Sequence, residues 1–211
     1  KSPGNFIALV ERNGSMAAML GLVVLVGMGE KMAERFLPLY LIALGGGTWS
    51  VGILNAMDNL LSALYSFPGG YLADKLGYKK SLQLFTLVAM FGYTLVLLIP
   101  AWQAVLIGSV FFISWSAVSL PAIMSLVSRT VAKNRRTFGV SLHSFVRRIP
   151  MALGPVAGGL LIGLYGRVRG VRMAFGAALV MGFAALLLVH FFMKDEPRKG
   201  EEEASEKMRV S

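Results

Sequence analysis

The sequence predicts an all-α membrane protein with six transmembrane helices. Of its 211 residues, 55% are hydrophobic and only 15% are charged, and the mean hydropathy is +0.65. Soluble domains rarely have this composition. The apolar residues are gathered in six runs, each with about the 20 residues that a helix needs to cross a bilayer. The runs are Met16–Leu44, Val51–Leu72, Ser81–Ile99, Trp102–Val127, Phe138–Leu164 and Val171–Met193.

The distribution of Lys and Arg predicts how these helices are oriented. Short links join the runs, so consecutive helices are antiparallel neighbours. One side of the predicted bundle (residues 16–193) carries 14 basic residues, in the amino-terminal segment 1–15, two links and the tail 194–211. The other side carries three, Arg167, Arg169 and Arg172. Because cytoplasmic loops hold the excess of positive charge, we expect segment 1–15 and the charged linker or tail to be cytoplasmic, in the cell (inner) membrane.

The composition also argues against several functions. The net charge of +10 lies mostly in links between apolar runs, where membrane orientation explains it without a nucleic-acid partner. The chain has no cysteine, and its two histidines, His143 and His190, are far apart in sequence, so we expect no metal site. Since no nucleophile or nucleotide motif is found either, we predict neither an enzyme nor a cofactor.

Four charged residues interrupt the first run: Glu30, Lys31, Glu34 and Arg35. The apolar parts on either side are too short to cross alone, which predicts one 29-residue helix of about 44 Å with Glu30 near its centre. A charge at the bilayer centre costs about 2.5 to 3.5 kcal/mol. The four charges must therefore face protein or water and compensate one another, and Lys31 can reach Glu34 at i,i+3.

This charged cluster has a functional and a structural interpretation. In the first, Glu30 or Glu34 accepts a proton, and Arg35 pairs with it or binds a substrate anion. Low dielectric favours the neutral carboxyl group and an approaching cation favours the charged one, so proton and substrate binding are coupled. In the second, the cluster neutralises itself and fixes helix packing, or the helix breaks near Gly27 and Gly29.

Polar residues also mark the second and fifth runs. A stripe at helical spacing in the second run must face the bundle interior or a cavity, and it makes Asp58 a candidate second carboxylate or a helix-to-helix hydrogen-bonding group. In the fifth run Arg147 and Arg148 lie too deep for easy snorkelling. Because adjacent residues point about 100° apart, at most one arginine faces a central pocket squarely. We predict a charged pocket between the acidic runs and the basic fifth run.

The hydrophilic link after the second run, GGYLADKLGYKK, holds one carboxylate among basic residues. It resembles the G-x-x-x-D-[KR]-x-G-[KR]-[KR] signature of the major facilitator superfamily. The resemblance implies a conformational latch formed by Gly70, Asp74, Gly77, Lys79 and Lys80. Asp74 would answer a helix amino-terminal dipole in the other half of the transporter, and the glycines would allow close approach. Alternatively, the link only fixes topology through its lysines.

The fifth run contains a second similarity to this family, the glycine motif formed by Gly154, Pro155, Gly158 and Gly159. The chain departs from the antiporter pattern at Ser109, where many members place an arginine, and at Ser141 and Pro150, where glycines are expected. These departures weaken the case for drug efflux.

An internal repeat agrees with the resemblance. Leu37-Pro38 recurs as Leu120-Pro121, and Leu76–Lys80 aligns with Tyr165–Arg169 at an offset of 89 residues. The family builds each half of its 12-helix fold from such a 3+3 inverted repeat. The chain is thus similar to the amino-terminal six-helix half of a major facilitator.

The resemblance implies a secondary active transporter that moves a small polar or charged solute by alternating access. The expected coupling is to protons, as a symporter or an antiporter. Its partners would be the lipid bilayer, a small-molecule substrate and a second six-helix half, supplied by a carboxyl half, a separate chain or a homodimer. The expected pathway residues are Glu30, Glu34, Arg35, Asp58, Arg147 and Arg148. The alternative is a non-transporting module of the same fold that acts in assembly or reception within a larger complex.

Overall fold

A computed structural model of the chain describes residues 14–113, 115 and 136–193. Three predicted features lie outside these residues: most of segment 1–15, the repeat unit Leu120-Pro121 with most of the basic link that follows it, and the tail 194–211. The side chains of Asp74 and His143 are likewise outside the described set.

Every regular element of the described residues is an α-helix, which confirms the predicted all-α class. The helices are α1 (Gly14–Glu34), α2 (Leu37–Ala43), α3 (Gly47–Leu76), α4 (Tyr78–Leu98), α5 (Trp102–Ile113), α6 (Arg136–Tyr165) and α7 (Arg167–Phe192). By length and composition, three described segments are suited to cross a bilayer: Lys79–Leu98, Ser144–Tyr165 and Arg167–Phe192. The arrangement of six spans as a 3+3 repeat stays a prediction.

The first run is not the single helix that its length predicted. Helix α1 ends at Glu34 and α2 begins at Leu37, with Phe36 between them at φ −106° and ψ 3°. Pro38 explains the break, because it has no N–H to donate to the carbonyl group of Glu34 and its ring would clash with that group. The alternative break near Gly27 and Gly29 is also wrong, since both lie inside α1.

Helix α1 lies at the centre of the described bundle, packed against α6 and α7, and α7 also packs against α4. Small residues allow these close contacts. A β-carbon added to Gly29 would lie 2.7 Å from the Cα of Ala178 in α7. Around the contacts lies an apolar core whose largest fully buried side chains include Leu22, Tyr40, Val96 and Phe175. Close approach through small residues is how helices associate where lipid removes the hydrophobic drive between them.

Helix α3 packs less extensively against other elements than any other long helix among the described residues. It packs mainly against α2 and α4, and its Tyr65 hydroxyl donates a hydrogen bond to the carbonyl oxygen of Val110 at 3.0 Å. Much of its surface is open, including the apolar Leu60 and Leu64 and the polar Asn55 and Asp58. Among the described residues, a polar part of α3 is therefore left uncovered.

One of the three basic residues that violate the orientation rule has a structural partner. The Arg172 guanidinium, near the start of α7, donates from Nε and one terminal nitrogen to the carbonyl oxygen of Leu97, at 3.2 and 2.8 Å. Leu97 is in the last turn of α4, whose carbonyl groups have no partner within the helix. Arg172 therefore joins α7 to the end of α4, a role that the orientation rule does not consider.

Candidate substrate and proton site

A cavity of about 260 Å³ lies beside the break between α1 and α2. We call it the main cavity. Its walls come from the end of α1, the start of α2, the amino-terminal half of α3 and the end of α5. The lining residues are Glu30, Glu34, Arg35, Leu37, Pro38, Leu54, Asn55, Asp58, Phe112 and Ile113. The break matters here because the chain turns at Arg35 and Phe36. In a continuous helix, the four charged residues would instead lie along one straight axis.

Glu30, Lys31 and Glu34 form an ion triad at the carboxyl end of α1. The Lys31 ammonium donates to Glu30 Oε1 at 3.2 Å and to Glu34 Oε2. The side chains are 8% exposed for Glu30, 19% for Lys31 and 37% for Glu34, so exposure increases along the triad from Glu30 to Glu34. The predicted contact between Lys31 and Glu34 is confirmed. One ammonium is shared by two carboxylates, which leaves the triad one negative charge when all three groups are ionised.

Arg35 and Asp58 line the same cavity but belong to no ion pair among the described residues. Both side chains are exposed. The triad is thus compensated within α1, whereas Arg35 and Asp58 hold opposite charges on separate walls. The four charges of the cluster sum to zero, as the sequence predicts, but Arg35 does not take part in the pairing.

The structure does not place the fifth-run arginines with these carboxylates. Arg147 lines a second, small cavity of about 30 Å³ with Lys31, Trp115 and Pro150 among its neighbours, and Arg148 is exposed. Neither of these two cavities brings Arg147 or Arg148 together with Glu30, Glu34 and Asp58, so the pocket between the acidic runs and the basic fifth run stays a prediction. Lys31 lines the small cavity with Arg147, whereas Glu30 and Glu34 line the main cavity, so the two cavities meet different residues of α1.

The glycine motif of α6 sets the distance between α6 and the triad. A β-carbon on Gly154 would lie 2.7 Å from the Cβ of Lys31, and one on Gly158 would overlap the carbonyl oxygen of Met32. Gly159 is less crowded, with Phe36 at 3.6 Å from its added β-carbon, and Pro155 is half-buried. Two of the motif's four residues thus allow α6 to touch the backbone of α1 beside Lys31.

Aromatic residues behind the main cavity were missed by sequence reasoning. Phe112 lines the cavity and stacks on Tyr93 of α4, with ring centroids 5.4 Å apart. Phe175 of α7 contacts both rings at 5.8 to 6.1 Å. The hydroxyl groups of Tyr93 and Tyr40 are buried and have no hydrogen-bond partner among the described residues. A buried tyrosine in an apolar run was a weak signal that sequence reasoning did not use.

The link between α3 and α4 is a one-residue turn. Gly77 has φ +84° and ψ 154°, and the Ser81 hydroxyl of α4 donates to the carbonyl oxygen of Leu72 in α3 at 3.0 Å. Lys75 places its ammonium 5.8 Å from the ring centre of Tyr71. Gly77 thus forms a turn with positive φ, while the latch formed by Gly70, Asp74, Gly77, Lys79 and Lys80 stays a prediction.

The fold and the site together define a multi-helix membrane protein that holds charged groups between its helices beside a polar cavity. The chain belongs to the Major Facilitator Superfamily, whose sequence profile matches residues 15–210. This confirms the resemblance that the latch and glycine motifs indicate.

Similar proteins include transporters of this family. The chain is 29% identical over 175 residues to YqjV, an uncharacterized MFS-type transporter of Bacillus subtilis (strain 168), covering 79% of this chain and 40% of YqjV. It is 28% identical over 182 residues to the multidrug resistance protein MdtG of Salmonella paratyphi C (strain RKS4594), covering 81% and 42%. The chain therefore spans about two fifths of the length of these relatives.

The human organic anion transporter MFSD10 (TETRAN) has a similar solved structure. The TM-score is 0.69 at 15% identity, over 92% of this chain and 49% of that one. At this identity the similarity concerns the fold alone. About half of that chain thus matches nearly all of this one.

Proposed function

We propose that the chain is the amino-terminal half of a secondary active transporter that moves a small polar or charged solute by alternating access and is driven by protons. Its family and the transporters among its similar proteins support this proposal. So does the share of their length that the chain covers, about two fifths of YqjV and MdtG and half of MFSD10. We further propose that both ends face the cytoplasm and that the six runs form a 3+3 repeat.

The ion triad carries the proton part of the proposal. Glu30 is nearly buried and Glu34 is half-exposed, and both line the main cavity. With all groups ionised, the triad has one negative charge in excess, and one bound proton makes it neutral. Because burial penalises an uncompensated charge, a solute that brings charge into the cavity changes the free energy of that protonation. Proton and solute binding are then coupled through the same two carboxylates.

The uncovered face of α3 supports a second six-helix half. Asn55 and Asp58 are exposed on a helix that the described part of this chain covers only in part. An ionised carboxylate against lipid is costly, so such groups face protein or a water-filled cavity. We propose that a second six-helix unit closes the main cavity from this side. It would be a carboxyl half, a separate chain or a second copy of this chain.

The test reconstitutes the complete transporter that contains this segment into liposomes loaded with a pH-sensitive dye. A candidate solute is added outside, and proton movement and solute uptake are recorded together. Glu30→Gln removes a titratable carboxylate at nearly unchanged volume, so we expect uptake without proton movement or no uptake at all. Arg169→Gln, an exposed residue at the start of α7, is the control and keeps both signals.

Two outcomes would each overturn a different part of the proposal. Full proton-coupled uptake by Glu30→Gln and also by Glu34→Gln would remove the triad as the proton site. If the complete protein moved no solute, and reconstitution of a known transporter succeeded in parallel, the chain would instead be a non-transporting module of the same fold.

A further inference from the structure

The lining of the main cavity is unequal in charge. Three carboxylates line it, Glu30, Glu34 and Asp58, and among the described lining residues Arg35 is the only cation. Lys31 compensates the glutamates but lines the small cavity with its own side chain. With both cations counted against the three carboxylates, these five described residues carry one negative charge in excess when all are ionised. A cleft with an excess of one sign attracts solutes of the opposite sign.

The position of Asp58 makes this excess available to a solute. The two glutamates already share the Lys31 ammonium, whereas Asp58 is exposed and has no ion pair among the described residues. Asp58 is on α3 and the triad is on α1, so a group between them meets carboxylates from two walls. The Asp58 carboxylate is therefore the natural counter-ion for an added positive charge.

The remaining lining is apolar and includes an aromatic ring. Leu54, Phe112 and Ile113 are buried along the wall formed by α3 and α5, and Leu37 is buried at the start of α2. Binding sites for small molecules usually combine such an apolar surface with a few polar groups that fix orientation. This wall suits a solute with a hydrocarbon or aromatic part better than it suits a small, fully hydrated ion.

We propose that the main cavity binds a monovalent amphipathic organic cation, with its positive group between Asp58 and the triad and its apolar part against Leu54 and Phe112. The inference rests on the proposed function, since it takes this cavity as the solute pathway. It adds the charge and shape of the solute. A single positive charge matches the single excess negative charge. A dication is disfavoured, because the Arg35 guanidinium would repel its second charge.

The test compares two small aromatic probes of opposite charge, phenyltrimethylammonium and benzenesulfonate. Their binding to the complete transporter in lipid nanodiscs is measured by titration calorimetry at neutral pH. We expect the cation to bind at least about tenfold more tightly than the anion, and its affinity to fall as salt is added.

Two variants with opposite expected effects separate charge recognition from misfolding. Asp58→Asn keeps the shape and removes the charge, and we expect it to weaken phenyltrimethylammonium about tenfold, whereas Asp58→Glu retains most of the affinity. Arg35→Gln removes the competing cation, and we expect it to strengthen binding of the same probe several-fold. A folding defect weakens binding in both cases, so it cannot produce this pair of results.

Each result has a definite meaning for the two proposals. Tighter binding of benzenesulfonate, or unchanged cation affinity in Asp58→Asn, would overturn the cation site even if proton-coupled transport of another solute were found. Binding of phenyltrimethylammonium that depends on Asp58, in a protein that transports nothing, would support the cation site and refute the transport function.

Discussion

Gly77 and Gly166 have the same backbone conformation although 89 residues separate them in sequence. Their φ angles are +84° and +81°, their ψ angles are 154° and 169°, and each is the only residue between two long helices. A contact between the two helices that each turn joins also recurs at this offset. Ser81 bonds to the carbonyl oxygen of Leu72, and Gly170 lies against Leu161 and Ile162, where an added β-carbon would be 2.5 to 2.6 Å away. These equivalences support the predicted internal repeat.

Substituting either turn glycine should cost a similar amount of stability. Both conformations lie in a region that only glycine adopts readily, so Gly77→Ala and Gly166→Ala should each lower the free energy of unfolding by about 1 to 3 kcal/mol. Gly52→Ala is the control, because Gly52 is inside α3 with open space around it, and it should be neutral or slightly stabilising. Thermal unfolding of the complete protein in detergent measures all three. Very different costs at the two turns would count against their equivalence.

The contact between Gly158 and Met32 predicts that the packing of α6 on α1 tolerates no side chain at Gly158. A β-carbon at Gly158 overlaps the Met32 carbonyl oxygen, so Gly158→Ala should push α6 from α1 and cost about 1 to 3 kcal/mol through overpacking. Gly163→Ala, in the same helix but with open space around the added carbon, should cost little. Unfolding measurements compare the two variants. Equal stability of both would mean that the glycine motif does not set the spacing between α6 and α1.

The sequence predicts the helical class, the helix order and the pairing of Lys31 with Glu34, because apolar length and i,i+3 spacing are local properties. It could have located the break in the first run as well. Pro38 is a local signal of a helix break. The prediction of one long helix instead gave more weight to the length that a bilayer requires. Length is the weaker argument here, since a proline acts on its own helix whatever the membrane requires.

The positions of the arginines could not be predicted in this way. Which side of α1 receives Arg147 depends on how α6 crosses α1 at Gly154 and Gly158, and a crossing is a relation between distant residues. The same holds for Arg172, whose bond to the Leu97 carbonyl oxygen joins two helices far apart in sequence. Charge counting can therefore propose the members of a site but cannot determine which of them meet.

Removing the shared cation of the triad should destabilise the protein. In Lys31→Met, Glu30 and Glu34 lose their common partner and repel each other, and Glu30 is nearly buried. We expect a loss of about 1 to 3 kcal/mol, less than for a fully buried pair because Glu34 is 37% exposed. Lowering the pH should recover part of the loss, since protonated carboxyl groups need no cation. Thermal unfolding at several pH values tests this.

A second variant makes the result specific to charge. In the triple variant Lys31→Met, Glu30→Gln, Glu34→Gln, the triad has no charge to compensate, so the unfolding temperature should exceed that of Lys31→Met alone and should not depend on pH through these groups. If the triple variant were as unstable as the single one, the loss would come from packing of the lysine side chain against Gly154 and not from the unpaired carboxylates.

The buried hydroxyl group of Tyr93 gives the last prediction. Its oxygen has no partner among the described residues, and the ring is held between Phe112 and Phe175. A buried polar group without a hydrogen bond costs free energy, so Tyr93→Phe should keep the ring packing and leave stability unchanged or raise it by up to about 1 to 3 kcal/mol. Tyr165→Phe, at an exposed position, is the matched control and should have no effect. Thermal unfolding of both variants decides the matter: a loss of stability in Tyr93→Phe alone would show that the hydroxyl does have a partner, and a parallel loss of proton-coupled uptake would place that partner in the solute pathway.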